Sequence, residues 1–210
     1  MIRYYSYLME DDHLWVACSG GVDSIATAHL LRNKNIELIH YNHKIRPQND
    51  VMEQKVREFA KEFFLPITVL EGNHNSDQRE HDYREGRLDA FEWLGGKIIL
   101  AHHLDDAVES YLMNCFNGVS EYLIPIQTRL SERTQIVRPF LENSKSQFQN
   151  YVKKMGLEEW IVNDDSNSDT SIRRNYIRHV VRPIIEQHYP GIDTVVKKKY
   201  TKKYKEIQNG

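Results

Sequence analysis

The chain has 210 residues, of which 40% are hydrophobic and 28% charged, with a net charge of −2; this allows one full domain with a small appendage and excludes the disordered, collagen-like and disulfide-scaffold classes. No run of about 18 apolar residues occurs, and the start, Met1-Ile2-Arg3-Tyr4-Tyr5-Ser6, lacks the layout of a signal peptide, so neither a membrane span nor secretion is expected. Cys18 and Cys115 form no C-x-x-C pair, and a reducing cytoplasm is the expected compartment.

Strand-like segments at 13–18, 36–41, 67–70, 97–101 and 135–138 alternate with helix-period stretches at 24–33, 50–64, 79–94 and 105–117. That alternation predicts an α/β fold, a parallel sheet with helices on both faces. Loops starting at Ser19, Asn42 and His102 should then share one crevice at the carboxyl ends of the strands. The polar run Asn163–Asp169 reads as a linker, and the chain divides into a sheet domain, 1–142, and a small C-terminal helical extension, 143–210. From Ser171 to Gly210 there are ten Lys or Arg against three acids, a net +7 that leaves −9 for residues 1–170. This basic end reads either as a polyanion footprint or as a solvated terminal helix. Six lysines within Lys197–Lys205 repel one another and predict a mobile or fraying segment unless a polyanion neutralises it. Tyr200 and Tyr204 would either stack on unpaired bases or anchor the tail to the body.

The first strand runs into Ser19-Gly20-Gly21-Val22-Asp23-Ser24 and then a helix-like stretch. The glycines let backbone N–H groups approach an anion, the serines add hydroxyl donors, and the helix N-terminus adds its positive dipole end. Asp23 in such a cradle calls for a divalent cation bridging it to phosphate, so the loop predicts a magnesium nucleotide or pyrophosphate. The plainer alternative is a Gly turn with Ser or Asp capping the helix. Neither G-x-x-x-x-G-K-S/T nor G-x-G-x-x-G occurs. Further along, Asp105, Asp106 and Glu109 fall on one side of a helix, where like charges repel; a lysine ammonium or Mg²⁺ is expected there, unless the helix dipole alone offsets the repulsion. Arg174, Arg178 and Arg182 recur at i, i+4, i+8 opposite Ile177, Val181 and Ile184, a basic stripe read as facing phosphate, and Pro183 should kink that helix. His40, His43, His102 and His103, with Asp105 and Asp106, also admit a metal-dependent phosphohydrolase.

The Ser19–Ser24 loop resembles the pyrophosphate (PP) loop of the ATP pyrophosphatases. Within them, His40-Tyr41-Asn42-His43-Lys44-Ile45-Arg46 is similar to the H-x-N-H-G-L-R of the tRNA(Ile)-lysidine synthetase family. Residues 101–110, A-H-H-L-D-D-A-V-E-S, resemble its A-H-H-x-D-D-x-x-E-T, and Arg138-Pro139-Phe140-Leu141 its R-P-L-L. Asp165–Asp169 and Arg174–His179 are similar to its D-x-S-N-x-D and R-N-x-I-R-H. The motifs keep the family order from residue 19 to residue 179.

The resemblance implies a Rossmann-like fold, ATP and Mg²⁺ as cofactors, and a tRNA anticodon loop and L-lysine as partners. The implied reaction adenylates the wobble cytidine of a tRNA(Ile) and joins lysine to it, giving lysidine. Ser19, Gly20, Gly21, Asp23 and Ser24 would hold the phosphates, with Asp23 on the metal and Asn42 and His43 near the nucleotide. Asp23, Asp105, Asp106 and Glu109 would be catalytic, the last three placing lysine. Arg84 and Arg87, which resemble the arginines of the family's A-R-E-A-R-Y, would touch substrate together with His102, Arg138, Arg174, Asn175 and Arg178. Lys44 stands where glycine is usual, and Asn114 and Asn117 where the family commonly carries arginines. Many members continue into further tRNA-binding domains; on the resemblance this would be a short form, for which the basic tail would compensate. A sulfur-transferring relative is disfavoured by the lack of paired cysteines, and a non-catalytic RNA-binding module stays open beside the ligase and the phosphohydrolase.

Overall fold

The sheet comprises β1 (Leu14–Ala17), β2 (Ile36–Asn42), β3 (Ile67–Glu71), β4 (Gly96–Ile99), β5 (Gln127–Arg129) and β6 (Thr134–Val137), of which all but β5 carry aliphatic residues that pack in or against the core. The computed structural model describes residues 2–10, 13–72, 80–119, 123–162 and 168–209; most of the expected linker, including Asp165, Ser166 and Asn167, lies outside the described residues. Strand order is β3-β2-β1-β4-β6-β5. Every pairing is parallel except β5 on β6. β5 escapes the sequence pattern because it is a three-residue polar edge, Gln127-Thr128-Arg129, with no apolar alternation to betray it.

The strands are joined through α1 (Val22–Leu31), α2 (Pro47–Glu62), α3 (Glu80–Leu94) and α4 (Leu104–Phe116), and α5 (Lys145–Met155) follows β6. Because side chains alternate along a strand, Leu14, Val16, Cys18 and Leu38 meet residues of α1, α2, α4 and α5 such as Ile25, Phe59, Val108 and Phe148. Trp15, Ile39, Ile98 and Ile136 meet Phe91, Leu88 and Leu94 of α3 on the other face. Helices therefore cover both faces, as expected. The chain runs outward from β1 through β2 to β3, then returns to place β4 on the other side of β1. That reversal opens a crevice between the carboxyl ends of β1 and β4, where open α/β sheets bind ligands.

After the sheet come α6 (Arg173–Tyr176), a π-turn at Ile177–Val181, α7 (Arg182–His188) and α8 (Ile192–Asn209). Pro183 does not simply bend this run. It sits in the first turn of α7, where a missing N–H is tolerated, and the turn before it widens to π geometry.

Of the readings open for the lysine-rich tail, the helix anchored by its tyrosines holds and the mobile segment does not: the tail is the helix α8. Val196, Tyr200 and Tyr204, spaced i, i+4, i+8, are buried in the same core cluster as the sheet, so the C-terminal helices and the sheet share one core. The Tyr204 hydroxyl donates to Arg138 O at 2.6 Å, Tyr200 donates to Ile124 O at 3.0 Å, and Tyr7 donates to Tyr204 O at 2.7 Å. Tyr5 stacks on Tyr204 with ring centroids 3.9 Å apart. The lysines keep to the outside. Truncation after Val196 should accordingly cost stability, with Tyr204→Ala alone losing about 3–5 kcal/mol, the range for emptying an aromatic site. A chemical-denaturation midpoint left unchanged by Tyr204→Ala would contradict this.

Between α1 and α5, His29 is buried at 4% exposure and its Nδ1 lies 2.9 Å from the Tyr151 hydroxyl. Burial, with Arg32 beside it, pushes its pKa from 6.5 down to about 4. The fold thus favours the neutral ring, and stability is lost as pH falls from about 6.5 toward 4, at up to about 1.4 kcal/mol per pH unit. His29→Gln should lose less stability between pH 7 and pH 4.5 than the parent. Equal acid losses would contradict the assignment.

Candidate active site

The phosphate-type loop closes on itself before any ligand is considered. Gly20 has φ +88°, so glycine is needed for conformation, although a Cβ there would find ordinary contact distance to Val56 Cγ2 at 3.4 Å. Ser24 is buried. Its hydroxyl donates to Gly21 O at 2.9 Å and accepts from Ser19 N–H at 3.1 Å, which spends it on shaping the loop, while Ser19 remains exposed. From the far side, Val162 N–H donates to Gly20 O at 3.0 Å. Asp23, in the first turn of α1, has Oδ1 buried without a hydrogen-bond partner among the described residues. Its Oδ2 lies 3.4 Å from His103 Nε2.

His103 is the N-cap of α4 and forms a capping box with Asp106: His103 N–H donates to Asp106 Oδ2 at 2.9 Å, and Asp106 N–H points to His103 Nδ1 at 3.4 Å. Burial by itself would lower the His103 pKa, but the Asp23, Asp106 and Asp105 carboxylates outweigh it and hold the imidazole above its ordinary value. His103 thus joins the loop after β1 to the helix after β4. Sequence reading placed it among metal ligands for a hydrolase and left it out of the ligase site, although its place in the H-H-x-D-D motif was a sufficient signal.

The acidic helix face finds its cations within the chain. Arg174 Nε and Nη2 donate to Glu109 Oε2 at 3.1 Å and Asp106 Oδ1 at 2.7 Å. Arg178 grips Glu109 through Nε and Nη2 at 2.7 and 2.9 Å. Arg182 donates to Asp105 Oδ1 at 2.9 Å and also holds Asp193 and Glu186. The reading of the arginine stripe as facing phosphate is therefore corrected: it packs inward, because the i, i+4, i+8 basic face of α6–α7 meets the acidic face of α4. Asp105 is fully engaged, since its Oδ2 also accepts the Lys145 N–H at 2.7 Å and caps α5. Glu109 is 1% exposed. Burial would raise the Asp106 pKa, yet His103, Arg174 and His102 hold it at about 2.

Beside this cluster, burial and the nearby Arg138, Arg174 and Arg87 push His102 down to about 3, against the opposing pull of Asp106. Arg138 is 6% exposed; it donates to His102 Nδ1 at 3.1 Å, and to Pro125 O and Thr128 Oγ1, both at 2.8 Å. It braces His102 and the β5 edge. Burial and the neighbouring Arg84 and Arg174 lower the Arg87 pKa, and the Arg87 Nε is buried without a hydrogen-bond partner among the described residues. Guanidiniums so gathered favour an anion. Asn175 ties its own helix to Asp169 O at 2.9 Å.

The loop after β2 stands apart in its bonding. Asn42 donates to Asp50 and Glu53 of α2 at 3.0 and 2.7 Å and accepts from Lys44 N–H at 2.8 Å; its amide serves the loop. Lys44 adopts φ 55°, the conformation glycine would take, and its ammonium offsets the strain by pairing with Asp50 at 2.8 Å and Glu71 at 3.3 Å. His43 sits edge-on to Tyr41 and Tyr83 at 4.8 and 5.8 Å. His40 Nδ1 lies 2.8 Å from Cys18 O. Among the described residues, no three His, Cys, Asp or Glu side chains are grouped to hold a metal, and the phosphohydrolase reading is not favoured. Neither cysteine is disulfide-bonded, and no described helix is long and apolar enough to cross a membrane.

A profile of the PP-loop domain matches residues 3–185. The chain is 32% identical over 211 residues to the bifunctional protein TilS/HprT of Listeria monocytogenes, covering 91% of this chain and 32% of that protein. To the tRNA(Ile)-lysidine synthase of Persephonella marina it is 30% identical over 210 residues, covering 91% and 45%. The chain thus spans a third to a half of the curated relatives it matches. Among solved structures, the U34-tRNA thiolase NcsA from Methanococcus maripaludis superposes with a TM-score of 0.67 at 16% identity, over 90% of this chain and 71% of that one, a likeness of fold.

Proposed function

The chain belongs to the PP-loop domain family, and from that premise we propose that it is an ATP-dependent ligase acting on tRNA(Ile): it adenylates the C2 oxygen of the wobble cytidine in the anticodon loop, then joins L-lysine to C2 with release of AMP. The observation that carries this reading is Asp23, set in the glycine loop at the start of α1 with one carboxylate oxygen buried and unbonded and the other facing His103. An orphaned carboxylate oxygen beside a phosphate cradle fits Mg²⁺, which takes one or two carboxylates and completes its shell with phosphate oxygens and water. When bound, Mg²⁺ would offset charge on the departing pyrophosphate.

Ser19 and the backbone of Gly20 and Gly21 would receive the phosphates, with Ser24 holding the loop's shape and Asn42 and His43 bordering the nucleotide. Asp106 and Glu109 would place lysine, entering beside Arg174 and Arg178, while Asp105 anchors α5 and α7 around them. A carboxyl held at about 2, as in Asp106, is a weak base, so its role is to position the amine. The adjacent guanidiniums disfavour an ammonium, which is the direction amine attack requires. Arg84 and Arg87 would meet RNA phosphate near His102, Asn175 and Arg138 would keep that wall in place, and the outer lysines of α8 would extend the basic surface. A cytoplasmic setting agrees with the free cysteines.

Incubation with ATP and bulk tRNA, with and without lysine, tests the reaction class. AMP and pyrophosphate are expected, and phosphate release without AMP would refute the ligase. RNA binding with no ATP cleavage would leave a binding module instead.

A further inference from the structure

Where α4 ends, its outer face and α6 enclose a groove of about 450 Å³ that includes Met113, Phe116, Asn117, Arg173, Tyr176 and Val181. Phe116 is 65% and Tyr176 48% exposed. Two large rings left in water at one groove are not needed by the core of α4, which turns Leu104, Ala107, Val108 and Leu112 inward. Charge narrows the choice of occupant. Arg174, Arg178 and Arg182 are neutralised by carboxylates, whereas Arg173, exposed at the groove, makes no ion pair among the described residues. Exposed aromatic rings next to a free guanidinium and an exposed amide, Asn117, complement a base with its phosphate: the rings stack on its π-face, the guanidinium meets the anion, and the amide suits a base edge. The next residue of α6, Arg174, reaches the Asp106–Glu109 cluster directly, so the groove and the candidate site are built on the same two helices, α4 and α6.

We propose that this groove binds an unpaired nucleotide of the RNA substrate, its base against Phe116 and Tyr176 and its phosphate at Arg173. The proposal rests on RNA being the substrate, as argued above. Its test is fluorescence anisotropy with a labelled anticodon stem-loop and with a blunt RNA duplex, for the parent, Phe116→Ala, Tyr176→Ala, Phe116→Trp and Arg173→Gln. Each alanine variant should weaken stem-loop binding about tenfold, within the range measured for lost base stacking, and leave duplex binding unchanged. Phe116→Trp should retain the parent's affinity, which a loss through misfolding would not allow. Arg173→Gln should flatten the slope of log affinity against log salt by roughly 0.7, one single-strand phosphate contact. Unchanged stem-loop affinity in both alanine variants would overturn the groove, even if the parent ligates lysine; so would a parent that binds no stem-loop. Weakened stem-loop binding in the alanine variants of a parent that fails to cleave ATP would uphold the groove and refute the ligase. Concentration-dependent association abolished by Phe116→Ala, with RNA binding intact, would make the surface a self-interface and overturn the proposal.

Discussion

Asp23→Ala should abolish AMP and pyrophosphate formation while leaving tRNA affinity within about threefold. Among the described residues, Asp23 Oδ1 is buried and unbonded and Oδ2 meets the His103 imidazole, which leaves one oxygen for a cation. Removing a group that stabilises charge as it develops on a leaving group typically costs about 100–1,000-fold in rate, and loss of the cation's protein ligand should do at least as much. Stability should move the other way or stay put, because a desolvated, half-satisfied carboxylate is removed. ATP turnover and a denaturation curve on the same preparation separate the two effects. Near-parent AMP formation in this variant would contradict the metal assignment, and a large loss of stability would make Asp23 a structural residue.

Glu109→Ala should damage the fold and the chemistry together. Glu109 is 1% exposed and accepts hydrogen bonds from both Arg174 and Arg178, so its removal leaves two partly buried guanidiniums short of a partner. Breaking a buried pair in this way costs about 3–5 kcal/mol. For a chain of this size that corresponds to a fall in Tm of roughly 10 °C. Glu109→Gln, which keeps the shape and an acceptor oxygen, should lose less. In the folded fraction, the lysine requirement should rise while pyrophosphate exchange is largely kept, since adenylation precedes amine attack. A stable variant with unchanged lysine dependence would refute both roles.

Much of this was legible in the sequence, and what escaped has identifiable physics. Apolar runs such as Ile36–Tyr41 and Lys97–Ala101 gave away the parallel sheet because buried strands need them. The loop at Ser19–Ser24 and the H-H-x-D-D helix could be placed in one crevice because each follows the carboxyl end of a parallel strand. The charge partners could not: an acidic face on α4 and a basic face on α6–α7 are each readable, but that they meet is a tertiary fact. Each was therefore assigned a ligand, when part of the answer is that they satisfy each other. The tail stayed open between two readings for another reason. Its lysines drew the eye, while Val196, Tyr200 and Tyr204 at i, i+4, i+8 were the stronger signal, since apolar periodicity decides which face of a helix is buried. Asn42 and Ser24 belong to motifs that suggest ligand contacts, yet they are spent on loop shape, which motif spacing cannot distinguish from binding.

Lysine transfer to a wobble cytidine is tested most directly by a synthetic anticodon stem-loop incubated with the protein, ATP and labelled lysine, beside the same loop with uridine at the wobble position. Label is expected in the cytidine loop alone, equimolar with AMP. No label in the cytidine loop, or label in both loops, would contradict it.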